Sequence, residues 1–264
     1  MKTRIAVNGA AGRMGQRLVA LGSADSELEL GAALEHQDHP QLGSDAGTVA
    51  GVGELGIVLS AILAADVDVV IDFSVPAAAE SVTQICLERS LPLVLATTGL
   101  SENQQNQVRE AAGTIPVVWA PNMSQAVNLT MKLATVAAAA LKHNPQGADV
   151  EIIERHHRFK EDAPSGTALR FGELIAEVMG QDVHQHGRAG LTGQRPRNEI
   201  GYHALRVGDN PGEHTIVFGL LGETLELTVR ATNRDSYALG ALAAAKFVAD
   251  KSPGLYNMYD VLGL

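Results

Sequence analysis

The first half of the chain alternates short apolar runs with segments of helical spacing. Residues 4–8 form one such run, and Met14, Leu18 and Leu21 then recur at intervals of three or four residues. This pattern predicts a buried strand followed by an amphipathic helix. Its repetition predicts strands at 4–8, 29–35, 68–73, 92–96 and 116–119 and helices at 12–22, 76–89 and 101–112. Apolar strands that alternate with helices are typical of βαβ units, so we expect a parallel sheet covered on both faces.

The pattern changes after about residue 124. A long Ala-rich helix, a strand, a second helix, three strand-like segments and a last helix are predicted at 125–142, 149–156, 167–179, 200–207, 213–219, 223–232 and 236–249. Polar and apolar residues alternate within 223–229, which is typical of a sheet with one exposed face. We therefore expect an α/β chain in which a Rossmann-type parallel sheet is joined by an α+β domain.

Composition and charge exclude several classes of function. The 264 residues carry a formal net charge of -10, whereas nucleic-acid-binding proteins are usually basic, so no nucleic-acid partner is expected. The single cysteine, Cys86, allows neither an internal disulfide nor a cysteine-rich zinc site. The N-terminus enters a strand pattern directly, and charged residues interrupt the other apolar runs. We expect a cytoplasmic protein without a membrane span.

A glycine-rich turn follows the first predicted strand. Residues 9–15 read Gly-Ala-Ala-Gly-Arg-Met-Gly, a variant of the fingerprint in which the backbone and a helix N-terminus bind a pyrophosphate. Glu35 lies 20 residues beyond Gly15, at the end of the second strand, where a carboxylate would bind the adenosine ribose hydroxyls. The context of strand, turn, helix and acid predicts a bound dinucleotide. Arg13 either contacts adenine or a phosphate, or is a solvated residue of the first helical turn.

Two later loops follow parallel strands at the ligand-binding edge of such a sheet. Residues 96–99 are expected beside the nicotinamide half, and residues 120–124 are expected to contact its carboxamide. Ordinary turn and N-cap chemistry is the alternative for both loops.

The segment 151–169 concentrates positive charge within an acidic protein. Five potential cations lie within six residues, namely Arg155, His156, His157, Arg158 and Lys160. The residues Ser165-Gly166-Thr167 then begin a helix whose N-terminus would favour an anion. This combination suits a substrate with carboxylates, and a histidine is a suitable general acid near neutral pH.

Several of these residues have a purely structural role as the alternative. Ser165 or Thr167 would serve as an ordinary N-cap, and adjacent histidines on a strand point to opposite faces, so that one of them would be structural. Adjacent histidines also chelate a metal poorly, so no metal site is expected. His184 and His186 lie in a Gly-, His- and Arg-rich stretch at 184–198 and are expected at the surface.

The run from His156 to Ala168, which reads His-His-x-x-Lys-x-Asp-Ala-Pro-Ser-Gly-Thr-Ala, closely resembles the signature of the dihydrodipicolinate reductase family. The resemblance continues at residues 9–15, 72–74, 97–99 and 212–215 and so spans nearly the whole chain. It implies a Rossmann domain interrupted by a substrate domain on a mixed sheet, which also forms a homotetramer. It further implies reduction of a cyclic dicarboxylic imine with NADH or NADPH, in the diaminopimelate route to lysine.

The resemblance also assigns residues and domain limits. His156 matches the catalytic acid and Lys160 the second catalytic residue, while His157, Gly166 and Thr167 match substrate contacts. The cofactor contacts that it implies are Gly9, Ala10, Ala11, Gly12, Arg13, Met14, Glu35, His36, Ala96, Thr97, Thr98, Ala120, Pro121, Asn122 and Met123. The implied dinucleotide domain comprises residues 1–126 and 237–264, and the substrate and oligomerisation domain comprises residues 127–236.

Two positions depart from the family pattern. His36 stands where some members carry arginine, which would suit a 2′-phosphate better than a mostly neutral imidazole does. Because Glu35 accepts hydrogen bonds from a free 2′-hydroxyl and repels a phosphate, we expect NADH preference or dual use. Ala96 replaces the glycine that usually begins its loop, and the added methyl group either crowds the cofactor or has no effect.

Two hypotheses compete with the reductase, one of them another enzyme and the other a protein of a different class. Another Rossmann dehydrogenase, acting on an amino or hydroxy acid, would have no need of His156, Lys160 and Gly166 together. A nucleotide-sensing module without turnover would not need His156 or Lys160, and both are present.

Overall fold

The computed structural model describes residues 1–264 and divides the chain into two compact units. We call residues 1–125 with 234–264 the discontinuous unit, and residues 126–233 the inserted unit.

The discontinuous unit begins with alternating strands and helices. In chain order these are β1 (Thr3–Asn8), α1 (Arg13–Ala24), β2 (Leu28–Leu34), α2 (Ala46–Val49), β3 (Leu59–Ser60), β4 (Val69–Asp72), α3 (Pro76–Arg89), β5 (Leu93–Leu95), α4 (Glu102–Ala111) and β6 (Pro116–Trp119). The predicted strands of this half are confirmed, whereas α2 and the two-residue β3 were not anticipated, because elements so short carry no periodicity.

The inserted unit follows without a long linker. Its elements are α5 (Gln125–Leu141), β7 (Asp149–His156), α6 (Gly166–Met179), β8 (Val183–His186), β9 (Glu199–Arg206), β10 (Glu213–Leu220) and β11 (Glu223–Arg230). The strand β8 lies within the stretch that the sequence showed only as rich in Gly, His and Arg. The chain then returns to the discontinuous unit through α7 (Asp235–Val248), β12 (Gly254–Tyr256) and α8 (Met258–Leu262).

The seven strands of the discontinuous unit form one parallel sheet in the order β12-β6-β5-β4-β1-β2-β3. Apolar side chains fill the space on both sides of it. The predicted parallel sheet with two covered faces is therefore confirmed, and the carboxyl ends of its strands meet at one edge.

The helix α7, with which the chain re-enters the discontinuous unit, is held by ion pairs as well as by packing. Arg17 of α1 donates two hydrogen bonds to Asp235 at the start of α7, at 2.6 and 2.9 Å. Near its other end Lys246 lies 2.7 Å from carboxylate oxygens of both Asp25 and Glu27. These contacts join residues more than 200 positions apart and hold the C-terminal segment against α1 and β2.

The inserted unit is built on a mixed sheet in the order β11-β10-β7-β9-β8. Strand β7 pairs antiparallel with β10 and parallel with β9. Alternate residues of β7 and β10 are buried. The alternation predicted at 223–229 falls in the edge strand β11 and does not appear there as alternating burial, because most residues of this strand are exposed within the unit. No helix of the structure is both long and apolar enough to span a membrane.

Candidate active site

The glycine turn after β1 has a geometry that larger residues would disrupt. Gly9 has φ of +79°, and a Cβ at this position would lie 2.9 Å from the carbonyl oxygen of Phe73. A Cβ at Gly15 would lie only 2.0 Å from the carbonyl oxygen of Gly9. No side chain caps α1, whose N-cap is Gly12, and the first N–H groups of a helix have no partner within it. The turn and the helix end therefore fit the diphosphate of a dinucleotide.

Glu35 lies directly beside this turn. Its Oε1 atom accepts a hydrogen bond of 2.9 Å from the N–H of Ala11, and Oε2 accepts one of 3.1 Å from the N–H of His36. The His36 ring is exposed, with Nδ1 3.6 Å from the carboxylate of Asp38. This end of the site thus carries two carboxylates and one imidazole, and Asp38 was not singled out in the sequence.

A buried carboxylate organises the loops at the same edge of the sheet. Asp72 ends β4 with no exposed surface, and it accepts hydrogen bonds from Asn8 (2.7 Å), Ser74 (2.6 Å) and Thr97 (2.6 Å). Burial raises the pKa of Asp72, while the hydrogen bonds from Ser74, Thr97 and Asn8 oppose the shift. The Thr97 hydroxyl, which also accepts the N–H of Ser74, therefore holds the loop together from inside.

The other predicted cofactor residues differ in exposure. Gly12, Arg13, Thr98 and Pro121 are exposed, Met14 and Asn122 are half-buried, and Gly9, Ala10, Ala11, Ala96, Ala120 and Met123 are buried. Asn122 accepts the N–H of Ser124 at 2.9 Å, so turn chemistry operates in this loop. Because they follow parallel strands, the glycine turn, Glu35 and both later loops meet at one edge of the sheet.

In the inserted unit, His156 and Glu154 share the buried face of β7. Nδ1 of His156 lies 2.5 Å from Oε2 of Glu154. The imidazole is 9% exposed and the carboxylate is fully buried. The other ring nitrogen, Nε2, faces the backbone of Gly212, where a Cβ would lie 3.0 Å away. Glycine at 212 therefore leaves space beside Nε2.

Glu154 is held on its far side by Arg206 of β9. The guanidinium donates one hydrogen bond of 2.8 Å to each carboxylate oxygen, and the N–H of Ser165 donates a third of 3.1 Å. Burial raises the pKa of Glu154, but the hydrogen bonds from His156 and Arg206 outweigh it and hold the pKa at about 2. The carboxylate is therefore ionised at neutral pH.

Lys160 is connected to the same network. Its Nζ atom lies 2.7 Å from Oδ1 of Asp162, and Arg206 donates a 2.6 Å hydrogen bond to the Asp162 carbonyl. Two of the predicted residues, His156 and Lys160, are thereby linked through Asp162 of the family signature and through Glu154 and Arg206, which the sequence did not indicate. His157 is half-buried away from Glu154, and its buried Nδ1 has no hydrogen-bond partner in the chain.

The N-terminus of α6 completes the arrangement. Ser165 is its N-cap, and the hydroxyl accepts the N–H of Ala168 at 3.2 Å. The same hydroxyl lies 3.1 Å from Nε2 of the buried His214. Gly166 is exposed, with no atom near the position of an added Cβ, so the helix end is open to an anion. The capping role considered for Ser165 is therefore real.

The histidines of β8 contribute to packing at the edge of the sheet. His184 and His186 are exposed, as expected, and both stack on the ring of Tyr202. The stretch that holds them is therefore partly strand rather than only loop.

Two family descriptions match the chain. Dihydrodipicolinate reductase, N-terminus, matches residues 3–123, and Dihydrodipicolinate reductase, C-terminus, matches residues 126–262. A 4-hydroxy-tetrahydrodipicolinate reductase of Rhodopirellula baltica is 59% identical, over 98% of this chain and 96% of its own length. This chain belongs to the dihydrodipicolinate reductase family. The resemblance seen in the sequence is confirmed, and the family consists of pyridine-nucleotide-dependent oxidoreductases of the diaminopimelate route to lysine.

Other relatives agree with this assignment to the reductase family. The corresponding enzyme of Alkalilimnicola ehrlichii is 50% identical over the full length of both chains. A solved structure, dipicolinate-bound dihydrodipicolinate reductase from Paenisporosarcina sp. TG-14, superposes with a TM-score of 0.79. It is 28% identical and covers 98% of this chain and 99% of its own. An amine dehydrogenase from Mycobacterium smegmatis, with 12% identity and a TM-score of 0.64, shares the fold.

The buried His214 makes the stability of this reductase sensitive to acid. Burial lowers its pKa from 6.5 to about 4, and the neighbouring His156 adds to the shift. Because the folded state disfavours the charged ring, protonation of His214 favours the unfolded state. The free energy of unfolding is therefore highest above pH 6.5 and decreases as the pH falls from 6.5 to about 4. The difference corresponds to about 3 kcal/mol. We therefore expect His214→Gln to show a smaller drop in Tm than the parent between about pH 7 and about pH 4.5. Parallel curves of Tm against pH would contradict this.

Proposed function

We propose that this chain reduces hydroxy- or dihydrodipicolinate to tetrahydrodipicolinate with NAD(P)H, and that His156 and Lys160 carry the chemistry. The observation that carries the proposal is the arrangement around His156. A buried carboxylate holds Nδ1, Nε2 faces a glycine, and a lysine and an open helix end belong to the same unit. Family membership supports the same reaction, and a related enzyme was solved with a cyclic dicarboxylate bound.

The discontinuous unit has the features needed to hold the nucleotide. The glycine turn at 9–14 and the start of α1 would hold the diphosphate, and Glu35 with His36 would contact the adenosine ribose, as the close backbone approach at Gly9 and the bond from Ala11 to Glu35 support. The loops at 96–98 and 120–123 would position the nicotinamide half. When bound, the nicotinamide supplies the hydride; the protein aligns the reactants.

The inserted unit supplies groups that bind carboxylates. The N-terminus of α6 at Gly166 and Thr167 presents N–H groups and the positive end of a helix dipole. Nζ of Lys160 lies 2.7 Å from Oδ1 of Asp162. The ammonium group has three hydrogens, so it could also donate to a substrate carboxylate. His157 would add a contact through a ring nitrogen.

His156 completes the reduction by donating a proton. Hydride addition to the conjugated C=C–C=N system leaves an electron-rich enamine, which must take up one proton to give the product. The protonated imidazole can deliver it from Nε2. Lys160 stabilises the negative charge that develops on the substrate as the hydride arrives.

Replacement of the two residues should affect the kinetics differently. His156→Ala should mainly lower kcat, by about a hundredfold to ten-thousandfold, because the proton is transferred only in the transition state. Lys160→Ala should raise KM and lower kcat together, because Lys160 acts both before and during hydride arrival. Steady-state kinetics and NADH fluorescence titrations measure these effects, with Arg158→Ala as the control for an exposed cation of the same loop. A normal kcat in His156→Ala would remove this residue from the mechanism.

The nucleotide preferred is proposed to be NADH, with NADPH used equally at best. Glu35 and Asp38 both lie around the exposed His36, and their charges repel a 2′-phosphate. The His36→Arg substitution should improve use of NADPH, because guanidinium binds phosphate more strongly than imidazole. Comparison of kcat/KM for the two nucleotides in both proteins tests this. A value for NADPH more than about tenfold above that for NADH in the parent would refute the preference.

The oligomer is proposed to be a homotetramer assembled through the sheet of the inserted unit. The face opposite α6 carries partly exposed residues such as Ile153 (39% exposed), Thr215 and Val217, and an incompletely covered sheet face needs a partner. Analytical ultracentrifugation should show a tetramer at micromolar concentration, and Ile153→Asp should lower the order of assembly without unfolding. Sedimentation as a monomer alone would rule the proposal out.

The compartment is proposed to be the cytoplasm. The single thiol, Cys86, is buried and unpaired, which is compatible with a reducing compartment. A dependence on NADH or NADPH supports the same placement.

A further inference from the structure

Glu154 is a buried charge that the proposed reaction does not use directly. Its side chain has no exposed surface and therefore does not reach solvent. It also does not belong to the proposed substrate-binding groups. All of its acceptor capacity is occupied, because Oε1 accepts from Arg206 and the N–H of Ser165 while Oε2 accepts from Arg206 and His156. A buried ion pair of this kind is weak evidence for stability, since apolar residues often serve as well.

The hydrogen bond to His156 has a chemical consequence. Glu154 is ionised and an ionised carboxylate only accepts hydrogen bonds, so Nδ1 of His156 must carry a hydrogen. The ring nitrogen that exchanges a proton is therefore Nε2.

The remaining groups around His156 do not replace this carboxylate. On β10 the neutral ring of His214 lies 5.2 Å away, centroid to centroid. Across β9 the partner residue is Arg206, and Lys160 follows in the next loop. Both are cations, and Asp162 pairs with Lys160 at 2.7 Å, so Glu154 is the carboxylate that contacts the His156 ring directly.

We propose that Glu154 is a positioning residue for the proton donor: it holds His156 as the Nδ1–H tautomer and turns Nε2 toward the substrate. Arg206 keeps Glu154 in place by its two-point contact and connects it to Asp162, the partner of Lys160. The inference rests on the proposed role of His156 as the proton donor.

Glu154→Gln tests the proposal with little change in shape. The amide group must replace one carboxylate oxygen with an NH₂ donor. Each carboxylate oxygen of Glu154 accepts one hydrogen bond from Arg206, so an NH₂ group at either position opposes one guanidinium N–H. The other partners decide the orientation, because the N–H of Ser165 on Oε1 can only donate, whereas Nδ1 of His156 on Oε2 can become an acceptor. The NH₂ group should therefore face His156 and drive the ring to the Nε2–H tautomer.

The expected results are a lower kcat and a changed tautomer. The kcat of Glu154→Gln should fall at least about tenfold, and by no more than the roughly 10²–10⁴-fold that a general acid supplies. NADH affinity and substrate KM should change less than about twofold. Histidine-selective ¹⁵N NMR at alkaline pH reports the tautomer, and the His156 signals are identified by their absence in His156→Ala.

Glu151→Gln is a matched control. Glu151 lies on the same strand, faces the other side of the sheet, and is also bonded to a histidine, His203, and to two arginines, Arg188 and Arg195. The substitution removes the charge at the centre of a comparable cluster that does not contact His156. It should leave the His156 tautomer and kcat unchanged.

The outcomes separate this inference from the proposed function. A normal kcat in His156→Ala would overturn the proposed function itself. A large loss in His156→Ala, combined with a normal kcat and an unchanged Nδ1–H tautomer in Glu154→Gln, would overturn only the role of Glu154. If Glu154→Gln does not fold, Glu154→Asp decides the matter. It keeps the charge but shortens the reach, so it should lower kcat with an altered Nδ1 resonance, and normal values of both would overturn the proposal.

Discussion

The short contact between the carboxylate of Glu154 and the imidazole of His156 is the interaction around which the inserted unit arranges its charged residues. The contact places two titratable groups on the buried face of one strand, where a carboxylate without partners would be costly. Arg206 from the neighbouring strand and the N–H of Ser165 supply the donors that make the burial possible. The same two residues belong to the structures that present the proposed substrate-binding groups. Arg206 reaches the loop of Lys160, and Ser165 begins α6.

The discontinuous unit also contains a buried carboxylate that holds its surroundings in place. Asp72 lies at the end of the central strand β4 and gathers donors from the ends of β1 and β5 and from the turn that follows β4. The backbone of Phe73 and Ser74 also approaches Gly9 so closely that only glycine fits. The loops predicted to hold a nucleotide are thus joined by hydrogen bonds beneath the surface. In both units a buried acid fixes backbone and side chains whose exposed neighbours are available to ligands.

The return of the chain in α7 follows from packing as well as from charge. Its small residues, including Ala238, Ala241 and Ala245, are fully buried beside the parallel sheet. Gly240 passes the carbonyl of Met123 at a distance that a Cβ would reduce to 1.7 Å. The small residues of this helix therefore allow a close approach to the loop at 120–123.

The sequence by itself determined the features that depend on residues close together in the chain. Apolar runs separated by helical spacing predicted the parallel sheet, and the glycine turn predicted a dinucleotide fold, because local periodicity and backbone freedom are properties of short segments. The run from His156 to Ala168 identified the family. Tertiary structure decided which residues support these features. Arg206 meets Glu154 across 52 positions and Thr97 meets Asp72 across 25, since the order of strands in a sheet is set by packing over the whole unit. A period of two placed Glu154 and His156 on one face, but only the pairing of β7 with β9 brought the arginine that keeps the acid charged.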